Sequence, residues 1–426
     1  NQELERRAYV AALIRAQDAV QNQYPGEAAR LLAEAPPKHR AWEWHMLHAQ
    51  ADQSLETVPL AFNPLAMSND GRLLITDSTP DDEALDGAEV DVEAYSTTTQ
   101  LAMHDRHDGT TTMLPLPTDR HARSGDTFDV TFSPDDRYLA LWHIRRGKRD
   151  RRPESGCLLV WDLEPESPEL LHRIDQIASG MVFTPNASAM IWIESPVPDK
   201  NDRIIDNIRI KNTINMLSLN DPDAEIVSIP GPEGQLNLVE NQLAISPDGR
   251  SLACLSIYQG LIVTDLQTGE MRPYTHPDIN SRLLYHYAFS NDGRSMFACE
   301  PQGDAVYAID LESGQPVDGW TLVPHNRIRE LRGMPGQPLF VTADSTGAIR
   351  ILKEKTGELH GSLHGHLGTV RLLSVHGDGV LHSTADDDVL KRWSIEQQQQ
   401  SNPMRHLAID NVDHIAIQDD GRLMIT

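Results

Sequence analysis

The feature that most restricts the fold is a short phrase repeated along the chain. It reads Ser68-Asn69-Asp70-Gly71, Ser133-Pro134-Asp135-Asp136, Thr184-Pro185-Asn186, Ser246-Pro247-Asp248-Gly249, Ser290-Asn291-Asp292-Gly293 and Asp419-Asp420-Gly421, with looser copies at Met334-Pro335-Gly336 and His376-Gly377-Asp378-Gly379. Apolar residues alternate before it (Val130, Phe132; Leu243, Ile245; Tyr287, Phe289) and resume after it (Leu139 to Trp142; Leu252 to Leu255; Met296 to Ala298). Pro presets one turn dihedral, Asp or Asn caps the turn with its side chain, and Gly takes the positive φ. Each copy therefore predicts a β-hairpin. A third strand follows most copies, as in Leu158 to Leu163, Leu261 to Leu266, Val306 to Leu311 and Ile349 to Leu352.

From residue 246 onward the copies begin at 246, 290, 334, 375 and 418, spaced by 44, 44, 41 and 43 residues. Four short strands in about 40 to 45 residues make the unit of a β-propeller. The expected fold is mainly β, a propeller of seven or eight four-stranded antiparallel blades. Blades one to seven are expected over residues 53–400. Residues 401–426 are expected to supply an outer strand and the start of an eighth blade or second propeller.

The early units are longer, and their extra residues fall between the second and third strands. Blade one carries an acidic insertion (Asp81, Asp82, Glu83, Asp86, Glu89, Asp91, Glu93), blade two a basic one (Arg145, Arg146, Lys148, Arg149, Arg151, Arg152), and blade three a mixed one from Pro196 to Lys211. Equivalent loops leave every blade from the same face, so the three are expected to crowd over one sector and form a partner site. The basic loop stands out because the chain as a whole has 63 acidic against 37 basic residues, a net charge of −26. Such a surface repels nucleic-acid backbones and anionic lipid, which points to protein or peptide partners, neutral or basic overall. The basic loop is expected either to take an acidic peptide segment or phosphate, or to pair with the acidic insertion of blade one beside it, which needs no partner.

Gly365-His366, Ser383, Asp387 and Trp393 resemble the signature of the WD40 propeller family, and Trp161-Asp162 keeps part of it in blade two. The resemblance implies a structural tetrad, a hydrogen-bonded chain from His366 through Ser383 and Asp387 to the Trp393 indole.

Residues 1–52 read differently. Tyr9, Leu13, Ala16 and Val20 make one helical stripe, Ala28, Leu31, Leu32 and Ala35 a second, and Arg40 to Gln50 a third helix, the turns marked by Pro25-Gly26 and Pro36-Pro37. This is the pattern of a tetratricopeptide-like helical hairpin. Residues 1–51 hold six basic and six acidic side chains, so the −26 belongs to the rest of the chain. The runs Tyr9 to Ala12, Glu27 to Leu32, Pro36-Pro37 and Arg40-Ala41-Trp42-Glu43-Trp44 resemble the segment that joins the membrane helix to the WD40 propeller in planctomycete-type serine/threonine protein kinases. The resemblance implies a kinase domain and a membrane helix before Asn1, and a location on the extracytoplasmic side of a bacterial inner membrane. Without it, a cytoplasmic location is the expectation. No kinase motif is present in these residues.

Other candidates have structural explanations. His360, His364, His366, His376 and His382 fall on different strands and loops, so no metal site is expected from them. Asp386-Asp387-Asp388 reads as turn capping, the three cysteines (Cys157, Cys254, Cys299) as buried strand residues, and Trp42 and Trp44 as packing of the helices on the propeller. Hydrolase motifs are missing, and no catalytic residue and no cofactor are expected. The expected function is a non-catalytic interaction or sensor module, the regulatory part of a kinase. The alternatives are a propeller hydrolase or lactonase with a central metal, and a free-standing scaffold.

Overall fold

In the computed structural model the described residues are 2–21, 25–62, 64–78, 100–114, 127–146, 153–164, 167–176, 178–194, 211–221, 223–233, 243–256, 260–274, 286–300, 305–323, 325–396, 415–417 and 423–425. Three α-helices come first: α1 (Gln2–Gln21), α2 (Pro25–Glu34) and α3 (Trp42–Ala51), with one 3-10 turn (Pro37–His39) before α3. Their core holds Tyr9, Ala16, Ala28, Leu31, Leu32, Trp44 and Leu47. The small alanines let the helices approach closely. Arg40 locks the last turn by donating to the Ala35 and Ala33 carbonyls at 3.1 Å each.

Seven antiparallel sheets follow; in the first six the described strands run in sequence order from the inside outward, strand a onward, and in the seventh the outermost strand comes from earlier in the chain. Strands a of successive blades contact each other around a closed ring. The cores lie between neighbouring blades: Phe132 and Trp161 with Leu101 between blades one and two, and Trp142, Phe183 and Trp192 between two and three. Phe297 and Phe340 stack at 4.4 Å between five and six. Blade five has three described strands (His286–Phe289, Ser295–Cys299, Tyr307–Asp310) and a single bridge from Ile309 to Pro316. Where a fourth strand would continue, the Trp320 indole donates to the Val306 carbonyl at 2.8 Å.

Blade seven corrects one expectation. Its outer strand is not drawn from residues 401–426 but is Glu56–Pro59, which pairs with Val389 to Arg392 of strand c. The segment that enters blade one thus supplies the outer ladder of blade seven and closes the ring. Among residues 401–426, Ile415–Ile417 and Leu423–Ile425 pair with one another; the rest lie outside the described residues.

The repeated phrase forms the a–b turns, all on one face. The serine hydroxyl donates to the Asp two residues on (Ser68, Ser133, Ser246 and Ser290, at 2.6 to 2.7 Å) and accepts the N–H of the first residue of strand b. Gly71, Gly249 and Gly293 take positive φ at the fourth position, but Asp136 (φ 60°) and Ala187 (φ 54°) do so without being glycine. Asp136 has a compensating role. Its carboxylate accepts Asn69 N–H (2.7 Å), Asn69 Nδ2 (2.8 Å) and Asp70 N–H (3.0 Å) from blade one. Asn291 is held in the same way by Glu354 of blade six, at 2.9 and 2.8 Å. Asn stands in these two copies where others have Pro. Proline has no N–H to satisfy, asparagine does, and the neighbouring blade provides the carboxylate.

Two outcomes are expected. Asp136→Gly relieves an unfavourable φ yet destabilises the protein by about 1–2 kcal/mol in denaturant melts, because Asn69 loses its acceptor; a stabilised variant would show that the dihedral dominates. Burial pushes the Glu354 carboxyl up to about 7, against the pull of the Asn291 hydrogen bonds. A folded-state value above the unfolded one stabilises at low pH, and that contribution is lost as pH rises through about 7. The melting temperature should therefore fall more between pH 6 and 8 in the native protein than in Glu354→Gln, and equal falls would refute the assignment.

Candidate interaction face

Strands alternate in direction within a blade, so the b–c connections share one face, opposite the a–b turns. The three insertions do interrupt the chain there. In blade one the b and c strands are Leu73–Ser78 and Gln100–Asp105, in blade two Tyr138–Arg146 and Pro153–Asp162, in blade three Ala189–Glu194 and Lys211–Ser218. Arg145 and Arg146 belong to strand b of blade two, in register with Ser155 and Pro153, so this ribbon is longer than its counterparts. Lys148, Arg149, Arg151 and Arg152 lie outside the described residues, as do Asp81, Asp82 and Glu83 of the acidic insertion.

The helical neck sits on this same face, over blades six and seven. A Cβ on Gly26, at the start of α2, would lie 3.2 Å from the Thr346 carbonyl in the b–c turn of blade six and 3.5 Å from the His366 carbonyl. The anchor is Asp52, which caps α3. Its carboxylate accepts the Lys391 ammonium at 2.6 Å, and Lys391 also reaches Thr57 Oγ1 at 2.8 Å. Lys391 is buried, with 3% of its side chain exposed. A buried ammonium is tolerated only when paired and hydrogen-bonded, so Asp52 and Lys391 depend on each other. Gly365 is part of the arrangement: a Cβ there would meet Asp52 Oδ1 at 2.3 Å. A cavity of about 240 Å³ remains beside the pair, lined by Arg40, Trp44, His48, Leu367, Asp387 and Lys391 among others.

Behind the anchor lie the four signature residues. His366 Nδ1 meets the Asp387 carboxylate at 3.0 Å, His366 Nε2 meets Ser383 Oγ at 2.8 Å, and the Trp393 indole donates to the same Oγ at 2.8 Å. The order is thus Asp387, His366, Ser383, Trp393, with His366 in the interior of the chain and not at its end. Asp387 also accepts Leu367 N–H at 2.8 Å. The His366 contact holds the Asp387 carboxyl below its ordinary value against the opposing effect of burial, the largest single influence. Blade six has a reduced version in which His325 Nε2 meets Thr342 Oγ1 at 2.8 Å.

The remaining candidates disperse. His376 pairs with Asp378 at 3.0 Å in an a–b turn, and the His382 ring lies against Gly71 of blade one. Burial lowers His364 and His382 to about 4. Asp386 pairs with Arg371, and Asp388 takes φ 55° in the b–c turn. All three cysteines are buried. Trp44 is buried and donates to the Leu32 carbonyl at 2.8 Å, whereas Trp42 is 63% exposed. On the innermost strands Glu330 and Arg332 of blade six pair at 2.9 Å. Among the described residues no group of three or more His, Cys, Asp or Glu is placed to hold a metal ion, and no helix is long and apolar enough to cross a membrane.

The neck anchor escaped sequence reasoning because its halves are 339 residues apart. Lys391, a charge between the apolar Leu390 and the signature Trp393 with its neighbour, was the available sign. Asp52→Ala is expected to cost about 3 kcal/mol, since it strands a buried ammonium. Asp52→Ala with Lys391→Met should recover most of that loss in denaturant melts, and no recovery would argue against the pairing.

No known family model matches the chain, and no curated protein matches it. Among solved structures 1537 chains match, a spread that identifies an architecture and not a partner. One is a chain of the "Crystal Structure of Mitotic Checkpoint Complex", with a TM-score of 0.52 and 11% identity, covering 80% of this chain and 91% of that one. At that identity the likeness is of fold alone: the chain is a WD40-like, seven-bladed β-propeller preceded by three helices.

Proposed function

We propose that the chain is a non-catalytic protein-interaction module, the sensing propeller of a bacterial serine/threonine protein kinase, with the helical neck as the joint toward the rest of that protein. One observation carries this reading. The insertions of blades one to three leave from the face on which the neck is anchored over blades six and seven. A partner held by the insertions would therefore sit on the same rigid ring as the joint, and its binding would alter how neighbouring copies are spaced. The kinase part rests on the resemblance of the Pro36-Pro37 and Trp42-Glu43-Trp44 region.

Residues 147–152 carry four of the six cations of the basic loop. Replacing Lys148, Arg149, Arg151 and Arg152 by Ser should abolish capture of an acidic protein partner in pull-downs while leaving the melting temperature within about 1 °C, as expected for surface changes. Capture that persists undiminished would remove this loop from the site. Sequencing the gene upstream of the codon for Asn1 tests the kinase part directly: a frame without kinase motifs would overturn it.

A further inference from the structure

Four ionisable side chains gather on the inner strands of blades five and six, where His286–Phe289 adjoins Ile328–Gly333. Glu330 and Arg332 pair at 2.9 Å, with 12% and 40% of their side chains exposed. His286 lies near both arginines of the neighbouring strand. Burial first, then Arg332 and Arg329, lower it to about 3, so the imidazole is neutral. Arg329 is half-buried, and its Nε is shut off from solvent without a hydrogen-bond partner among the described residues. A buried donor left unpaired is costly, the more so on a charged group. The cluster holds two guanidinium groups and one carboxylate, and it lacks an acceptor.

The cluster opens into the central channel. Two residues before the a–b turn, the other six blades carry Ala66, Thr131, Val182, Ala244, Ala288 and Ser374, so Arg332 is the one charge at that level and its neighbours are small. Arg332 also acts on Asp129 of blade two. Blades two and six stand on opposite sides of a seven-bladed ring, so the two charges face each other through the channel. Asp129 is reached by solvent yet enclosed by protein: desolvation raises its carboxyl to about 6, against the pull of the Val130 N–H and of Arg332.

We propose that the channel binds a small oxyanion, a carboxylate or a phosphate, at Arg329 and Arg332 beside His286. Planar guanidinium groups take such oxyanions through paired N–H donors, which would supply the acceptor that Arg329 lacks. The net charge of −26 holds large polyanions off the outer surface, whereas cations inside a low-dielectric channel concentrate a small anion. Glu330 competes with that anion for Arg332. The site is separate from the insertions and from the neck, and it does not depend on what either of them binds.

Titration calorimetry of the whole chain with inorganic phosphate, and separately with succinate, tests this and shows which oxyanion is preferred. At least one of them should bind with a dissociation constant of about 0.1–1 mM. Arg329→Gln should weaken that binding at least about tenfold with an unchanged melting curve, because the side chain has no partner in the fold to lose. Glu330→Gln should tighten it, which a purely structural role for these residues would not produce. Replacing Glu330 and Arg332 together by Gln removes the ion pair as a unit and should weaken binding, a second variant that does not rely on Arg329. Absence of binding by either anion at about 10 mM overturns the proposal, as does binding indifferent to Arg329→Gln or weakened by Glu330→Gln. Binding that survives Arg329→Gln but is lost when Lys148, Arg149, Arg151 and Arg152 are replaced by Ser belongs to the basic loop and overturns the channel site.

Discussion

Everything in this molecule depends on one strand exchange: Glu56–Pro59 completing the sheet of blade seven. A propeller buries its apolar side chains between blades, so an open ring would leave two unpaired faces and an unpaired outer edge. Hydrogen bonding of the incoming segment to the last blade closes both at once. The same strand connects directly to Asp52, so closing the ring and seating the neck are a single event. Gln53 N–H to the His364 carbonyl at 2.7 Å and Leu55 N–H to the Arg392 carbonyl at 2.8 Å continue the junction without a break. Nothing in that junction resembles a flexible linker.

The two faces of the ring serve different ends. The a–b face is a set of short, self-capped turns tied blade to blade, by carboxylates at Asn69 and Asn291, and by Ser374 Oγ to the Asn69 carbonyl where blade seven meets blade one. The b–c face carries the variable material: neck, insertions and the elongated ribbon of blade two. Rigidity on one side and variation on the other is what a recognition scaffold requires.

Much of the fold was legible because hairpins leave local marks. Ser, Pro, Asp and Gly at fixed offsets specify a turn without reference to anything distant, and the spacing of such turns yields the blade. The signature residues were legible too, since each occupies a fixed place relative to a turn. The order of their hydrogen bonds was not, because His366 lies between Ser383 and Asp387 only once the strand and the b–c turn are folded against the blade-linking loop.

The sequence by itself determined the class of fold, the three helices and the positions of the insertions, all consequences of local periodicity and turn chemistry. Tertiary structure alone decided how many blades close the ring, which segment closes it, and which charges are partners. Asp52 with Lys391, Asp136 with Asn69 and Glu354 with Asn291 are 339, 67 and 63 residues apart, and no local pattern links them. The physical reason is that a buried or turn-bound polar group needs an acceptor or donor close in space, and in a ring the nearest neighbour in space belongs to another blade.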